Sequence, residues 1–468
     1  MKQLLLTILV VFPLLMNVGN AQQDSSVLSF RSYMDYVMST HPMARQAALK
    51  DELAQAEWMR ARGNFDPEIS SGWNDKFFDD KHYYRLFATR VNVPLRYGLE
   101  ITGAYENTDG VYLNPENKTD ENGLWTLGVQ VNLLQGLLID ERRAGLQQAV
   151  FFQEIAENQK INQLNDLAYQ ASAAYLNWQR DYYAQQVVLE AIELAEVYFE
   201  ATRQSFFNGE KTAMDTLEAL IIVQDRTAQL RTNEALLTKS QQTLENFLWR
   251  ENQPLSLLPG VFPEQEIVEI NPESLRVPVE TMVNAHPVLL EKQNKKAYYQ
   301  IEQRLKKEKL KPKLKLKYNP LLATSEQSLT PVLSASNYKW GFDFSMPLFL
   351  RSERAGLQKS RLKIREIDFD IQDKSNALKN KIQASEEQMA ILRDQLELQR
   401  RNVDGYLKLL EAENEKNRFG ESSVFLINKR QEKYVAGRIK LIDLNRKYKL
   451  EQLNYLYFSN QLLSVFND

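Results

Sequence analysis

The sequence has 468 residues, no cysteine, and a formal charge of -3 made from 58 basic and 61 acidic side chains. The cysteine count excludes disulfides, thiolate metal sites, a cysteine nucleophile and lipid attachment at an N-terminal cysteine, and the balanced, interspersed charge leaves no electrostatic footprint for nucleic acid. Only 17 glycines and 15 prolines occur, in clusters, so very long uninterrupted elements are expected between them.

Residues 1–21 read as a cleaved signal peptide: Lys2 precedes an apolar run from Leu4 to Val18, and Gly19, Asn20 and Ala21 stand where a signal peptidase reads. The run is shorter than the roughly 20 apolar residues of a spanning helix and is broken by Pro13. No later apolar run approaches spanning length, so the mature chain either stays soluble beyond the inner membrane or enters a bilayer as a β-barrel.

The chain is one unit written twice. His41-Pro42 recurs as His286-Pro287, and the proline opening an alternating segment recurs as Pro67 and Pro312, both at an offset of 245. Arg143-Ala144-Gly145-Leu146-Gln147 recurs as Arg354-Ala355-Gly356-Leu357-Gln358, and Gly209-Glu210 as Gly420-Glu421, both at an offset of 211. The first half therefore carries 245 − 211 = 34 extra residues between Pro67 and Arg143. The repeats run 22–257 and 258–468, each with shorter helices, strands (about 68–134 and 312–348) and a long helical hairpin (about 140–250 and 353–464).

In the first half, Trp125, Leu127, Val129, Val131 and Leu133 alternate with Thr126, Gly128, Gln130 and Asn132. In the second, Tyr338, Trp340, Phe342, Phe344 and Met346 alternate with Lys339, Gly341, Asp343 and Ser345. This period of two suits barrel strands with lipid on one side and water on the other, and a soluble sheet half-buried on a core shows the same alternation. The barrel reading makes Trp125, Tyr338, Trp340, Phe342 and Phe344 lipid-facing. The strand partners are Glu68–Asn74 and Lys313–Tyr318; the lysines at 313, 315 and 317 must face the lumen or lie near the membrane edge. The extra residues hold two more alternating runs, one ending at Val93 and the other reading Leu99, Ile101, Gly103, Tyr105, expected to add a strand pair with Thr108–Asn122 as an outer loop, or else a large surface loop.

Residues 143–207 contain no proline and one glycine, Gly145; as one helix, these 65 residues would span about 98 Å. Ile161, Leu164, Ala168, Ala171, Tyr175, Trp178 and Tyr182 step by 3 and 4, as do Leu378, Ile382, Ser385, Met389, Leu392 and Leu396, which is coiled-coil spacing. Gly209 and Gly420 stop the long helices, and Thr212 or Ser423 can cap the returning ones. The proline-rich segment from Asn252 to Glu273 separates the halves, either against the helical body or as an ordinary surface loop. His41, His82 and His286 give little support to a metal centre or triad, and there is no phosphate loop, dinucleotide fingerprint or nucleophile elbow. The reading is a non-enzyme with no cofactor and no metal.

The duplicated order, the helix-start motifs around Arg143 and Arg354, and the turns Phe207-Asn208-Gly209 and Arg418-Phe419-Gly420 resemble the TolC-like outer-membrane efflux proteins over essentially the whole mature chain. The resemblance implies a mainly α fold with a membrane β-barrel: duplicated coiled-coil hairpins form a periplasmic α-barrel, and three copies share one 12-stranded barrel, four strands each. Six strands per copy would make 18. It implies a homotrimeric exit duct in the outer membrane of a tripartite efflux or type I secretion system, working with a periplasmic adaptor and an RND, ABC or MFS pump in the inner membrane. The hairpin tips (Phe207, Gly209, Glu210, Phe419, Gly420, Glu421) would meet the adaptor, and Asp215 and Glu218 would line the closed aperture, with Lys429 as a basic bridge. Asp215 and Glu218 equally suit a helix N-terminus, where acids are favoured anyway. A periplasmic coiled-coil adaptor or structural protein is the alternative for the whole chain.

Overall fold

A computed structural model describes residues 27–266, 277–325, 328–419 and 421–467. The signal-peptide reading, Gly420 and the end of the linker, 267–273, lie outside them. The chain forms two units: Met1–Met34, Ala174–Glu269 and Gly405–Ile442 make the first, and Asp35–Ala173, Ile270–Asp404 and Asp443–Asp468 the second. In chain order the elements are β1 (Val27–Leu28), α1 (Phe30–Thr40), α2 (Pro42–Gly63), β2 (Glu68–Phe78), β3 (Lys81–Pro94), β4 (Leu99–Asp109), β5 (Leu124–Asn132), α3 (Glu141–Phe207), α4 (Ala213–Glu245), β6 (Trp249–Arg250), β7 (Gln253–Pro254) and β8 (Phe262–Pro263). The second repeat continues with α5 (Val279–Asn284), α6 (Pro287–Glu308), β9 (Lys313–Ser325), β10 (Ser328–Ser345), α7 (Arg351–Arg418), α8 (Val424–Phe458) and α9 (Leu462–Asn467).

The repeated His-Pro pair starts a helix in each half. Proline occupies the first turn of α2 and of α6, each 22 residues long, where its missing N–H is not needed. His41 Nδ1 accepts from Met43 N–H at 3.1 Å, and His286 Nδ1 accepts from Val288 N–H at 3.2 Å, so each imidazole is an N-cap. The long helices follow from the absence of proline: α3 has 67 residues and α7 has 68, each about 100 Å at 1.5 Å per residue. They differ in environment. Along α3 not only Ala168, Ala171, Tyr175 and Trp178 but also Leu167, Ser172, Ala174 and Leu176 are buried, whereas along α7 burial is confined to a stripe through Ile382, Ser385 and Leu396.

In the first unit, Val187 and Ala191 of α3 are packed on Val435 of α8, with Ile439 and Ile442 beside them. Tyr175 lies between Phe30 and Trp178 and donates its hydroxyl to the Leu28 carbonyl at 2.6 Å. The segment between the repeats lies on α3: the Phe262 ring stacks on Tyr182 at 5.9 Å, and Tyr183 donates to the Pro263 carbonyl at 2.9 Å. In the second unit, Ile139, Ala144 and Ile301 form a small core with Phe151 and Leu305. The Tyr457 ring packs against Tyr169 at 4.8 Å between centroids, and its hydroxyl donates to Asp166 at 2.6 Å, tying α8 to α3.

The second unit also carries one six-stranded antiparallel sheet in the order β10-β9-β5-β4-β3-β2. The extra residues do form a strand pair, β3 and β4, so the sheet has six strands rather than four. One pairing expectation is corrected. The partner of β5 is not the strand at Glu68–Asn74, because the inserted hairpin separates them: β2 pairs with β3, β3 with β4, and β4 with β5. Positive φ at both Asp79 (54°) and Asp80 (53°) makes the β2–β3 connection a tight two-residue hairpin turn.

Candidate functional site

The register sorts the sheet into two chemically distinct faces. On one, Trp125 stands opposite Tyr105 and Leu322, Val129 opposite Tyr318, Tyr318 opposite Trp340, Leu316 opposite Phe342, and Leu314 opposite Phe344. Their rings form ladders: Tyr105–Trp125 at 4.8 Å, Tyr318–Tyr338 at 5.8 Å and Trp73–Phe87 at 5.8 Å. None is covered; Trp340 is 64% exposed and Trp125 46%. Soluble monomers rarely leave so contiguous an aromatic surface uncovered, and such a surface marks a face that meets lipid or protein.

The opposite face holds the lysines. Lys317 stands between Gln130 and Gly341, Lys315 between Asn132 and Asp343, and Lys313 opposite Ser345. Lys317 forms an ion pair with Asp343. Any of these lysines on the aromatic face would cost about 2–4 kcal/mol at a bilayer midplane, and the period of two keeps all three off it. Gly128 on this polar face leaves room for the Asn319 side chain, whose Oδ1 occupies the place a Cβ there would take. Where the strands meet α3 and α6, a recess of about 980 Å³ has a mixed polar and apolar lining that includes Asn132, Glu141, Ile139, Leu305, Lys313 and Lys315. Among the described residues there is no group of three His, Cys, Asp or Glu that could hold a metal ion, and no helix is long and apolar enough to cross a membrane.

The hairpin ends in the first unit are built alike. Gly209, at φ +79°, allows a Schellman closure in which Glu210 N–H donates to the Ser205 carbonyl at 2.9 Å and Gly209 N–H to the Phe206 carbonyl at 3.0 Å. In the second repeat Glu421 N–H donates to the Lys416 carbonyl at 2.9 Å, the same six-residue span. Thr212 then starts α4 with a capping box: its hydroxyl accepts from Asp215 N–H, and the Asp215 carboxylate accepts from Thr212 N–H at 2.9 Å and from its hydroxyl at 2.8 Å. These bonds hold the Asp215 carboxyl below its usual range. Ser423 Oγ accepts from Leu426 N–H at 3.3 Å at the start of α8.

No family model and no curated protein sequence matches the chain. Its structure, however, is similar to that of the Campylobacter jejuni CmeC outer membrane channel, with a TM-score of 0.65 at 11% identity over 92% of this chain and 85% of that one. It is likewise similar to the outer membrane protein VceC of Vibrio cholerae (TM-score 0.63, 12% identity, 92% and 95% covered) and to the open state of the Neisseria gonorrhoeae MtrE outer membrane channel (0.64, 12%, 92% and 88%). The chain has the TolC-like fold.

Within this fold the sequence-predicted residues fall into two groups. Trp125, Tyr338, Trp340, Phe342 and Phe344 share one face of the sheet. Phe207, Gly209, Glu210, Phe419 and Glu421 sit at the hairpin ends, where Phe419 is 81% exposed. Asp215 and Glu218 are half-buried on α4, and Lys429, the counterpart of Glu218 at the offset of 211, is exposed on α8. Sequence reasoning missed the apolar first turns of the return helices, where Met214, Leu217, Phe425 and Leu426 are exposed; apolar side chains where a surface helix ordinarily begins polar were the available signal. It also missed Glu413, whose carboxylate accepts from Ser422 Oγ at 2.7 Å and Arg430 Nε at 3.4 Å. The matching positions in the first repeat are Thr202 and Ala219.

Proposed function

We propose that the chain is the outer-membrane exit duct of a tripartite efflux or type I secretion system, exported by the signal peptide at 1–21 and assembled as a homotrimer that conducts substrates passively. The single observation that carries this is the six-stranded sheet, with aromatic side chains exposed on one face, lysines on the other, and both edges unpaired among the described residues. Lipid on the aromatic face and an aqueous lumen on the lysine face suit that division. Unpaired edges inside a bilayer require neighbouring copies, since lipid cannot satisfy backbone N–H and C=O groups. Exposed apolar positions on α7, among them Phe369, Ile391 and Leu398, are further surface for copy-to-copy contact.

The hairpin ends are the docking surface for a periplasmic adaptor linked to an RND, ABC or MFS pump. Phe207, Phe419, Met214 and Phe425 supply the apolar contact, and Asp215, Glu218 and Lys429 line the aperture. A periplasmic adaptor built on the same hairpins would need to cover the aromatic sheet face, and nothing else in the described chain does so. Sucrose-gradient fractionation and mass photometry in detergent test the reading. Sedimentation with outer-membrane barrels and a trimeric mass are expected. A soluble periplasmic fraction, or a stable monomer, would overturn it.

A further inference from the structure

The extra hairpin sits between two strands that the repeats share. Adding 245 to Glu68, the start of β2, gives Lys313, the start of β9; adding 211 to 124–132 gives 335–343, inside β10. In the second repeat those two strands are hydrogen-bonded neighbours. In the first, β3 and β4 lie between them in continuous register: Ser70 opposite Arg90, Arg90 opposite Ala104, and Ala104 opposite Thr126. An antiparallel pair inserted there reverses neither flanking strand, so β2 still follows α2 and β5 still leads to α3.

The sheet ends on β2 and β10, with no further strand paired to either among the described residues. The two edge strands run in opposite directions, so β2 of one copy meets β10 of the next antiparallel under simple rotational symmetry. Sidedness carries through the seam as well, because Ile69 and Trp73 of β2 share the aromatic face with Trp340, Phe342 and Phe344 of β10. A second copy of this chain therefore supplies an edge of the right polarity with both faces in phase.

We propose that the copies close β2 against β10 into one barrel of six strands each, 18 in the trimer, with the β3–β4 hairpin as a built-in widening insert. This rests on the trimeric reading above. With strands about 4.8 Å apart and tilted about 40°, 12 strands enclose a backbone diameter of about 24 Å and 18 strands about 36 Å. Allowing roughly 5 Å of side chain on each wall leaves about 14 Å against about 26 Å, the difference between room for one α-helix and room for a helical hairpin. Polypeptide cargo with retained secondary structure becomes admissible to the barrel section.

The absence of native cysteine makes disulfide mapping direct. Ala104→Cys with Thr126→Cys should oxidise within one chain, whereas Ser70→Cys with Asn132→Cys, which would face each other without the insert as Lys315 and Asp343 do in the second repeat, should not, because the three strand spacings between β2 and β5, about 14 Å, already exceed the reach of a disulfide. Ser70→Cys combined in turn with Gly341→Cys, Asp343→Cys and Ser345→Cys should yield dimer and trimer bands for at least one pair. Efficient intrachain oxidation of the 70/132 pair in a particle of trimeric mass would place the hairpin outside a 12-stranded barrel and overturn the inference while the trimer stands. A monomeric mass would instead overturn the trimeric reading. Counting strands in cryo-electron microscopy sections of the unsubstituted protein in nanodiscs gives the same decision without substitutions: 18 supports the inference and 12 overturns it.

Discussion

His286 offers a quantitative test of how the second repeat is held. The ring is 4% exposed and caps α6 by accepting Val288 N–H on Nδ1, so it must be neutral and carry its proton on Nε2. Burial lowers its pKa from 6.5 to about 4, the nearby Tyr457 backbone opposing only in part. The unfolded chain takes up this proton below about 6.5 and the folded chain resists it, so the contribution to stability is complete above pH 6.5 and is lost as pH falls towards 4. At about 1.4 kcal/mol per unit the site accounts for at most about 3.5 kcal/mol across that window. His286→Asn keeps a capping acceptor without a titrating ring and should flatten this part of the pH–melting profile. With only three histidines in the chain, NMR of histidine-labelled protein resolves the rings individually. One ring should titrate near 4, and three rings all titrating above 6 would refute the buried neutral cap.

Three further outcomes are expected. Gly209→Val forces a β-branched residue to φ near +79°, costing about 1–2 kcal/mol at the turn; transport should fall while membrane insertion, measured by fractionation, is preserved. The Asp215→Ala, Glu218→Ala double variant should change conductance and cation preference in planar bilayers, and unchanged selectivity would return both acids to helix-start roles. Trp125 and Trp340 should be quenched by bilayer-depth quenchers, since a lumen or a protein core would shield them.

Much of the fold was legible because it is written in local periods. The doubled His-Pro pair, the Arg-Ala-Gly-Leu-Gln motif and the two turn glycines announce the repeat, and the period of two puts Lys315 and Phe344 on opposite faces without any knowledge of partners. Strand adjacency was not legible in the same way. Whether β2 lies beside β5 or beside β3 depends on a pairing that alternation alone does not encode: the 34 extra residues and their two alternating runs pointed to an added pair but not to its place between β2 and β5. At the hairpin ends, Thr212 and Asp215 have capping-box spacing, and from the sequence the acid suits an aperture and a helix start equally; its carboxylate is bonded to Thr212, a local role that leaves the aperture role to be measured.

The two hairpin ends are also unequal, which gives a test of whether they move alike. Near the second end Glu413 of α7 binds Ser422 and Arg430, and these bonds hold its carboxyl below the usual range, Ser422 contributing most. The first end has buried Thr202 and Ala219 in the places of Glu413 and Arg430, and the Thr202 hydroxyl turns back to the Tyr198 carbonyl of its own helix at 2.8 Å. An interhelical charge pair thus exists at one end and has no counterpart at those positions in the other. Glu413→Gln removes the anion while keeping the shape, leaving Arg430 without its carboxylate and Ser422 with a weaker acceptor. Hydrogen exchange should then quicken around residues 405–435 and stay unchanged around 195–225. Acidification should produce the same selective loosening, because stability from a carboxyl of lowered pKa is present above its unfolded value and lost as pH falls through its folded one. Equal acceleration at both ends, or none at the second, would mean that the pair does not restrain the hairpin and that helix packing alone holds both ends.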